Sequence, residues 1–294
     1  MSENKKKILF IINPISGVGR KRTVEKAIRH RLDLSLFEYE ISYTKYPHHA
    51  IDIAKEAAVN GFHFVVAVGG DGSANEVAQS LIKSNVVMGI IPVGSGNGLA
   101  RHLKIPFKIA KAINVINKLN VKSIDTAKIN DKLFISIAGI GFDALIAEKF
   151  ALGKRRGFWS YFKKTILEYF KYSPLEYTIN IDQKQIKRNA LLISFANSKQ
   201  FGYNASISPT ASINDGYVDL CIVNKMSAFR AAILAHKLFL KNIDSSKYIE
   251  VFKITKAFIS CEEPTSSHID GDPGERLTEI HINIQPKTLS IIVP

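Results

Sequence analysis

The chain has 294 residues, of which 40 are Lys or Arg and 26 are Asp or Glu, so its formal net charge is +14; 46% of the residues are hydrophobic. This composition is that of a folded globular protein and excludes a disordered chain, and no apolar run approaches the roughly 20 residues that a membrane-spanning helix needs. The basic excess favours an anionic partner, which would be a nucleic acid, an anionic membrane surface or a phosphorylated ligand.

The N-terminal 120 or so residues alternate between short apolar segments and helix-forming segments. The predicted strands are 7–12, 39–44, 64–68 and 87–91, and the predicted helices are 22–32, 48–60 and 74–83. Strands separated by helices of this length predict a parallel sheet with helical crossovers. Ligands of such sheets bind at the C-terminal ends of the strands, which is where three glycine-bearing loops lie, at 13–19, 69–73 and 92–98.

The middle loop lies within "VVAVGGDGSANEV", residues 65–77. A buried strand, a glycine turn and a helix start, with Ser73 as the expected N-cap and Glu76 as its capping-box partner, together make a site for an anion. Asp71 would repel a phosphate, and its presence indicates that a cation or a proton transfer is also involved. The alternative is that Asp71 only caps the helix.

From about residue 125 onward the segments are short, alternating or β-branched, as in "KLFISIAGIG", "RNALLISFANS" and "EIHINIQ". They predict a mostly antiparallel, sandwich-like domain with helical inserts near 143–170 and 227–241. Residues 139–144 fit the G-x-G-x-x-A pattern of a dinucleotide site, but no βαβ unit surrounds them, so the match is weak. Cys221 and Cys261 lack metal-ligand spacing and are expected to be reduced, as in a cytoplasmic protein.

Six segments, in order along nearly the whole chain, resemble the diacylglycerol kinase catalytic domain family, which includes bacterial soluble lipid kinases and the sphingosine and ceramide kinases. They are "NPISGVGR", "VVAVGGDGSANEV", "GIIPVGSGNGLARHL", "AGIGFDA", "SPTASINDGYVDL" and "HIDGDPGE". The resemblance implies an α/β nucleotide-binding domain with an NAD-kinase-like parallel sheet (1–125 and about 287–294). It implies a mostly antiparallel β-sandwich that binds lipid (126–286), and ATP-dependent phosphorylation of a diacylglycerol-like or sphingoid- or ceramide-like hydroxyl with Mg²⁺.

The resemblance also assigns the ATP-binding residues, with Asp71 holding Mg²⁺ beside the phosphates. The nucleotide-binding set is Asn13, Pro14, Ile15, Ser16, Gly17, Thr44, Gly70, Asp71, Gly72, Ser73, Ala74, Asn75, Glu76 and Ser95.

A second, structural Mg²⁺ site is implied at the carboxylate of Asp215 with the carbonyls of Ser212 and Tyr217, because loop carbonyls beside an aspartate suit a hard cation. The alternative for this Asn-Asp-Gly sequence is an ordinary hairpin turn. Asp219, in the strand that follows, is interpreted as an outward-facing strand residue.

Asp272 occupies the position at which the family usually carries a glutamate that deprotonates the lipid hydroxyl, and Asp270 and Asp71 are competing candidates for this base. The alternative for 270–272 is a solvated acidic turn. Asp143, in "GFDA", is expected either to face the lipid head group or to cap the helix that follows.

The segment "EKFALGKRRGFWSYFKKTI" interleaves basic and aromatic residues, which suits an anionic membrane surface; a solvated helix face and RNA binding are the alternatives. We therefore expect a cytoplasmic, peripherally membrane-associated enzyme with a lipid substrate, without nucleic acid, and with homodimerisation left open. An NAD-kinase-like enzyme and a catalytically silent lipid- or nucleotide-binding protein are the rival functions.

Overall fold

The computed structural model describes residues 5–17, 21–94, 96–151, 158–202, 205–231, 233–234, 246 and 248–294. The chain divides into two compact units, one made of Met1–Asp125 with Lys287–Pro294 and the other of Thr126–Pro286. Within these described ranges, no helix combines the length and apolarity that a membrane crossing would require.

The first unit is an α/β layer built on a parallel sheet. Its elements are β1 (Lys6–Ile12), α1 (Lys21–Arg31), β2 (Phe37–Tyr43), α2 (His49–Val59), β3 (Phe64–Gly69), α3 (Asp71–Leu81), β4 (Val87–Pro92), α4 (Gly98–His102) and α5 (Ile109–Lys118). The strands lie in the order β2-β1-β3-β4, and each neighbouring pair is parallel. Every residue of β3 is buried, which is why its sequence is continuously apolar and does not alternate.

The second unit is mostly antiparallel. It begins within β5 (Val121–Ile129), whose first residues belong to the first unit. Its further elements are β6 (Lys132–Phe134), β7 (Ile137–Gly141), α6 (Phe142–Ala151), α7 (Phe158–Lys171), β8 (Leu175–Ile181), β9 (Lys184–Ala196), β10 (Gln200–Gly202), β11 (Ala205–Ser206), β12 (Val218–Asn224), β13 (Ile249–Ile254), β14 (Lys256–Thr265), β15 (Ser267–Ile269), β16 (Asp272–Pro273) and β17 (Leu277–Ile292). Antiparallel ladders join β8 to β9, β9 to β12, and β12 to β13. The last residues of β17 lie in the first unit, where Ile291 pairs with Met88 in a parallel register.

The predicted fold class is confirmed: an α/β N-terminal part with parallel strands and a C-terminal antiparallel β-sandwich. The G-x-G-x-x-A match is not part of a βαβ unit, because β7 pairs antiparallel with both β9 and β15. Cys221 and Cys261 are free thiols, and Cys221 is buried.

Two local predictions are wrong. The N-cap of α3 is Gly70 and not Ser73, so the helix begins directly where β3 ends. Glu76 is not a capping-box partner, because its carboxylate accepts hydrogen bonds from the backbone N–H groups of His48 (3.2 Å) and Ala50 (3.3 Å) at the start of α2. The Glu76 correction comes from a contact between two helices, which a local sequence pattern does not contain.

Candidate active site

The glycine-bearing loops of the first unit lie side by side at the C-terminal ends of its parallel strands. The backbone N–H of Asn13 donates to the carbonyl of Val68 (3.1 Å), and the N–H groups of Val93 and Gly94 both donate to the carbonyl of Gly69 (3.0 and 3.2 Å). The loops after β1, β3 and β4 are therefore held together by their own backbones. This edge of a parallel sheet is the usual position of a ligand site.

Glycines are required where these loops approach each other. A Cβ atom added at Gly69 would lie 2.5 Å from the Cβ of Ser73, and one added at Gly94 would lie 2.5 Å from the Cα of Gly70. Contacts this short do not occur for real side chains, so neither loop has room for a larger residue without moving the backbone. The site is consequently lined by peptide groups, which is the surface that phosphate oxygens bind.

We expect Gly94→Ala to destabilise the protein by about 1–3 kcal/mol, because the added methyl group would push against the backbone of Gly70. Gly70→Ala is the matched control: its Cβ would lie 3.5 Å from the Cα of Gly94, an ordinary contact, and its φ of −99° suits alanine. Urea unfolding of both variants measures the difference. Equal free energies of unfolding would show that the two loops are not in close contact.

Asp71, the first residue of α3, belongs to the second loop, and its carboxylate faces the third loop. Its Oδ1 accepts a hydrogen bond from the backbone N–H of Leu99 (3.3 Å), and a Cβ added at Gly96 would come within 2.9 Å of its Oδ2. Burial raises the pKa of this carboxyl above its ordinary value, and the backbone N–H groups of residues 97–99 and the charge of Arg101 offset only part of that effect. A carboxylate in such a place is stabilised by a nearby cation, so its surroundings fit the predicted Mg²⁺.

The other predicted nucleotide-binding residues occupy several parts of this edge. Asn13 lies at the turn of the first loop, where its Oδ1 accepts the N–H of Ile15 (3.0 Å) and its Nδ2 donates to Ser73 Oγ (3.4 Å). Thr44 follows β2 and its N–H donates to the carbonyl of Ile12 (3.0 Å), so it lies beside the same strand ends. The predicted Ser95 falls outside the described residues.

Asp270 and Asp272, in the second unit, have different surroundings although they are two residues apart. The Asp270 carboxylate accepts three backbone hydrogen bonds, from Ile135 (3.0 Å), Ser136 (2.8 Å) and Ile137 (2.9 Å), and so fixes the turn between β6 and β7. Asp272 lies on the short strand β16, opposite Ile269, and is exposed. The carboxylate of Asp270 therefore has a structural role, whereas the side chain of Asp272 lies at the surface of its unit.

Asp143 is the second residue of α6, so the alternative that it caps this helix is wrong. Its Oδ2 lies 3.1 Å from His268 Nε2, and both side chains are buried, with exposed fractions of 8% and 5%. A Cβ added at Gly139 would lie 2.6 Å from the same imidazole nitrogen, which explains the glycine on that strand. Sequence reasoning did not single out His268; its place on β15, in the same segment as Asp270 and Asp272, is the signal that could have found it.

The residues of the predicted structural Mg²⁺ site lie in the turn before β12. Asp215 Oδ1 accepts the N–H of Tyr217 (3.2 Å), Ser212 Oγ donates to Asn214 (3.0 Å), and Asp215 Oδ2 lies 2.7 Å from the ammonium of Lys253. A search of the described parts of the chain finds no group of three or more His, Cys, Asp or Glu side chains that could hold a metal. Mg²⁺ at Asp215 stays a prediction, and Lys253 is a rival cation for that carboxylate.

Asp219 differs from its interpretation as an outward-facing residue. Its side chain is only 2% exposed, and Ser208 Oγ donates a hydrogen bond of 2.5 Å to its Oδ2.

The segment that interleaves basic and aromatic residues is described only in part. Its Lys149 is described and forms an ion pair with Glu168. Residues 152–157, which include Lys154, Arg155 and Arg156, lie outside the described residues.

Two family profiles match the chain: the diacylglycerol kinase catalytic domain over residues 7–129, and the YegS C-terminal NAD kinase beta sandwich-like domain over residues 136–293. Among relatives, "Diacylglycerol kinase" of Bacillus subtilis is 27% identical over 98% of this chain and 97% of its own length. "Probable lipid kinase YegS" of Salmonella arizonae is 31% identical, with 81% of each chain covered.

Solved structures agree with the profiles. A protein from Bacillus anthracis str. Sterne, presented as a candidate diacylglycerol kinase, is 26% identical with a TM-score of 0.83, covering 99% of this chain and 98% of the other. The profiles together cover nearly the whole chain in the order of the two units. The chain therefore belongs to the diacylglycerol kinase and YegS family of lipid kinases.

Proposed function

We propose that the protein transfers the γ-phosphoryl group of ATP to the hydroxyl of a lipid, with Mg²⁺ as the accompanying cation. The observation that carries the proposal is the set of backbone-lined loops at the C-terminal ends of β1, β3 and β4, with the half-buried carboxylate of Asp71 among them. Peptide N–H groups bind phosphate oxygens, and a carboxylate beside them suits a phosphate-bound metal. Membership in a lipid kinase family supports a lipid as the acceptor.

In this proposal the phosphates bind to backbone groups of the loops after β1 and β3 and to the N-terminus of α3, without a lysine of the Walker type. Asp71 would hold Mg²⁺, which supplies positive charge to the phosphate oxygens when it is bound. Asn13 and Ser73, joined by a hydrogen bond of 3.4 Å, would keep the first and second loops in register with each other. These roles need fixed backbone positions, which the close glycine contacts provide.

The acceptor hydroxyl needs a base, and we propose Asp272 for that role. A positioned carboxylate can take the hydroxyl proton as the oxygen attacks phosphorus. Asp270 suits the role less well, because three backbone N–H groups already bind its carboxylate. Asp71 serves better as the metal ligand, since it is surrounded by the phosphate-binding loops.

The substrate class follows from the family: we propose a lipid with a free hydroxyl, either diacylglycerol-like or sphingoid- or ceramide-like. One relative is named a diacylglycerol kinase and others are named lipid kinases without a stated substrate. The loop "GSGNGLA" of this chain is closer to the sphingoid and ceramide kinase pattern than to that of bacterial diacylglycerol kinases. We also propose that the enzyme is cytoplasmic and visits the membrane reversibly, and a homodimer remains open.

Incubation with γ-labelled ATP and separate acceptors tests the proposal. The acceptors are a diacylglycerol, a ceramide, a sphingoid base and NAD, each with Mg²⁺ and with EDTA. Label in a lipid product that requires Mg²⁺ is the expected result. Label in NAD alone would make the protein a small-molecule kinase, and no labelled product from any acceptor, with binding of ATP or lipid retained, would make it a silent binding protein.

Membrane binding is expected to depend on the basic residues of the interleaved segment. Replacing Lys154, Arg155 and Arg156 with glutamine should weaken binding to anionic vesicles by up to about 1 kcal/mol per residue, because each charge near the surface is attracted to the lipid phosphates. Activity on detergent-dispersed lipid should change much less.

The matched control removes the same charge from α5 and its N-cap, by replacing the exposed Lys108, Lys111 and Lys118 with glutamine. Vesicle co-sedimentation at low salt compares the two triple variants with the wild type. Equal loss of vesicle binding in both variants would show that only the net charge of the protein matters. No loss of binding in either variant would show that the segment does not contact the membrane.

A further inference from the structure

The turn before β12 is contacted by a lysine of the neighbouring strand, whose position is set by the sheet itself. Lys253 on β13 pairs directly with Asp219 on β12 in the antiparallel ladder, so the two side chains leave the same face of the sheet. The Lys253 ammonium reaches Asp219 Oδ1 at 3.4 Å and Asp215 Oδ2 at 2.7 Å. One nitrogen atom therefore bridges the carboxylate of the strand and the carboxylate of the turn.

The bridge matters for stability because the carboxylate of Asp219 is buried. The Asp219 side chain is 2% exposed, against 30% for Asp215 and 47% for Lys253. A buried carboxylate is costly unless charge and hydrogen bonds compensate it, and here Ser208 Oγ and the Lys253 ammonium bind its two oxygens. The ammonium also lies 5.7 Å from the centre of the Tyr217 ring, within the range of a cation–π contact.

The same carboxylates are what a divalent cation in this turn would need. Mg²⁺ binds through oxygen ligands, and the Asp215 carboxylate is the charged ligand that the family resemblance provides. Its Oδ1 accepts the Tyr217 N–H and its Oδ2 binds Lys253. A divalent ion on Asp215 would lie close to the ammonium and would be repelled by it, so the two cations are alternatives.

We infer that Lys253 is a built-in cation that takes the place of a divalent metal between the turn of Asp215 and Tyr217 and the adjoining Asp219 of β12. The second unit then reaches its full stability without Mg²⁺ at this turn. The proposal concerns only this turn, and it holds whichever lipid is phosphorylated and however a metal binds with the nucleotide.

Thermal melting of nucleotide-free protein in EDTA and in excess Mg²⁺ tests the inference. The wild type should melt at the same temperature in both. Lys253→Met keeps the aliphatic length but leaves two neighbouring carboxylates without their cation, so it should melt about 5 °C or more lower in EDTA and regain part of that loss with Mg²⁺. Lys256→Met, an exposed lysine three residues further along, is the matched control and should behave as the wild type.

Lys253→Arg should restore a metal-independent melting temperature, since the guanidinium retains the positive charge. Binding of Mn²⁺ followed by electron paramagnetic resonance gives a second readout on the wild type and on Asp215→Asn. A Mg²⁺-dependent rise in the wild-type melting temperature that Asp215→Asn removes would overturn the proposal. A rise that Asp215→Asn leaves unchanged comes from another site and agrees with it.

The lysine variant has outcomes of its own that decide the question. A Lys253→Met protein as stable as the wild type in EDTA would overturn the proposal, because the ammonium would then be unnecessary. A destabilised Lys253→Met protein that neither Mg²⁺ nor Mn²⁺ rescues would overturn the equivalence of lysine and metal. Should Lys253→Met fail to fold in either condition, the Mn²⁺ comparison of the wild type with Asp215→Asn still decides.

Discussion

Asp71→Asn is expected to abolish phosphoryl transfer while the protein stays at least as stable as the wild type at neutral pH. Asparagine keeps the shape of the side chain and one oxygen for the backbone N–H of Leu99. It loses the negative charge that we propose for Mg²⁺ binding, and catalysis that relies on a phosphate-bound cation then fails. Steady-state assays with lipid and ATP measure the loss of turnover, and thermal melting measures the stability.

The expected stability follows from the direction of the pKa shift. Burial raises the pKa of Asp71 in the folded protein, so folding favours its protonated form. The contribution of protonated Asp71 to the free energy of unfolding is fully present at a pH below the ordinary pKa of an aspartate. It is lost as the pH rises through the raised pKa of the folded protein. At neutral pH the ionised Asp71 carboxylate therefore costs stability, and Asn removes that cost. The advantage of the variant should shrink as the pH falls toward the ordinary aspartate range, which a series of melting curves would reveal.

Asp52→Asn provides the matched control. Asp52 is likewise in the first turn of its helix, α2, but it is exposed. Its replacement removes a similar interaction with the helix dipole, worth about 0.3–1 kcal/mol, without touching the proposed phosphate-binding loops. Turnover in Asp52→Asn should be close to that of the wild type. Near-normal turnover in Asp71→Asn would mean that Asp71 only holds the third loop in place.

The predictable part of this protein is the part encoded in continuous stretches of sequence. The apolar run of β3 identified a central parallel strand because all of its residues are buried. The three glycine loops could be placed at one edge because the C-terminal ends of parallel strands meet there. The change to alternating segments after residue 125 identified the antiparallel unit, because alternation indicates that each strand has one buried face.

The unpredictable part consists of contacts between residues far apart in sequence. Glu76 looked like a capping-box residue for its own helix, but it binds the start of α2, 26 and 28 residues earlier. Asp219 looked like an outward strand residue, because alternation does not reveal that Ser208 and Lys253 meet it. The pair of Asp143 with His268 spans 125 residues. Such side-chain pairs depend on strand register, which no single segment determines.

The base of the proposed reaction can be identified by comparing two neighbouring carboxylates. Asp272→Asn is expected to lower kcat on lipid by roughly 10²–10⁴-fold, because the variant cannot accept the hydroxyl proton. The affinity of the variant for nucleotide and its melting temperature should change little, since Asp272 is exposed and lies outside the proposed nucleotide-binding loops. Asp272→Glu restores the residue that the family usually carries and should keep substantial activity.

Asp270→Asn is the contrasting variant. Its amide nitrogen would face backbone N–H donors of residues 135–137, and an unpaired donor there should cost about 1–3 kcal/mol of stability. A loss of activity in Asp270→Asn should therefore come with a lower melting temperature, whereas in Asp272→Asn it should not. Full activity in Asp272→Asn would end its assignment as the base. If Asp270→Asn then lost kcat at unchanged stability, Asp270 would be the base instead.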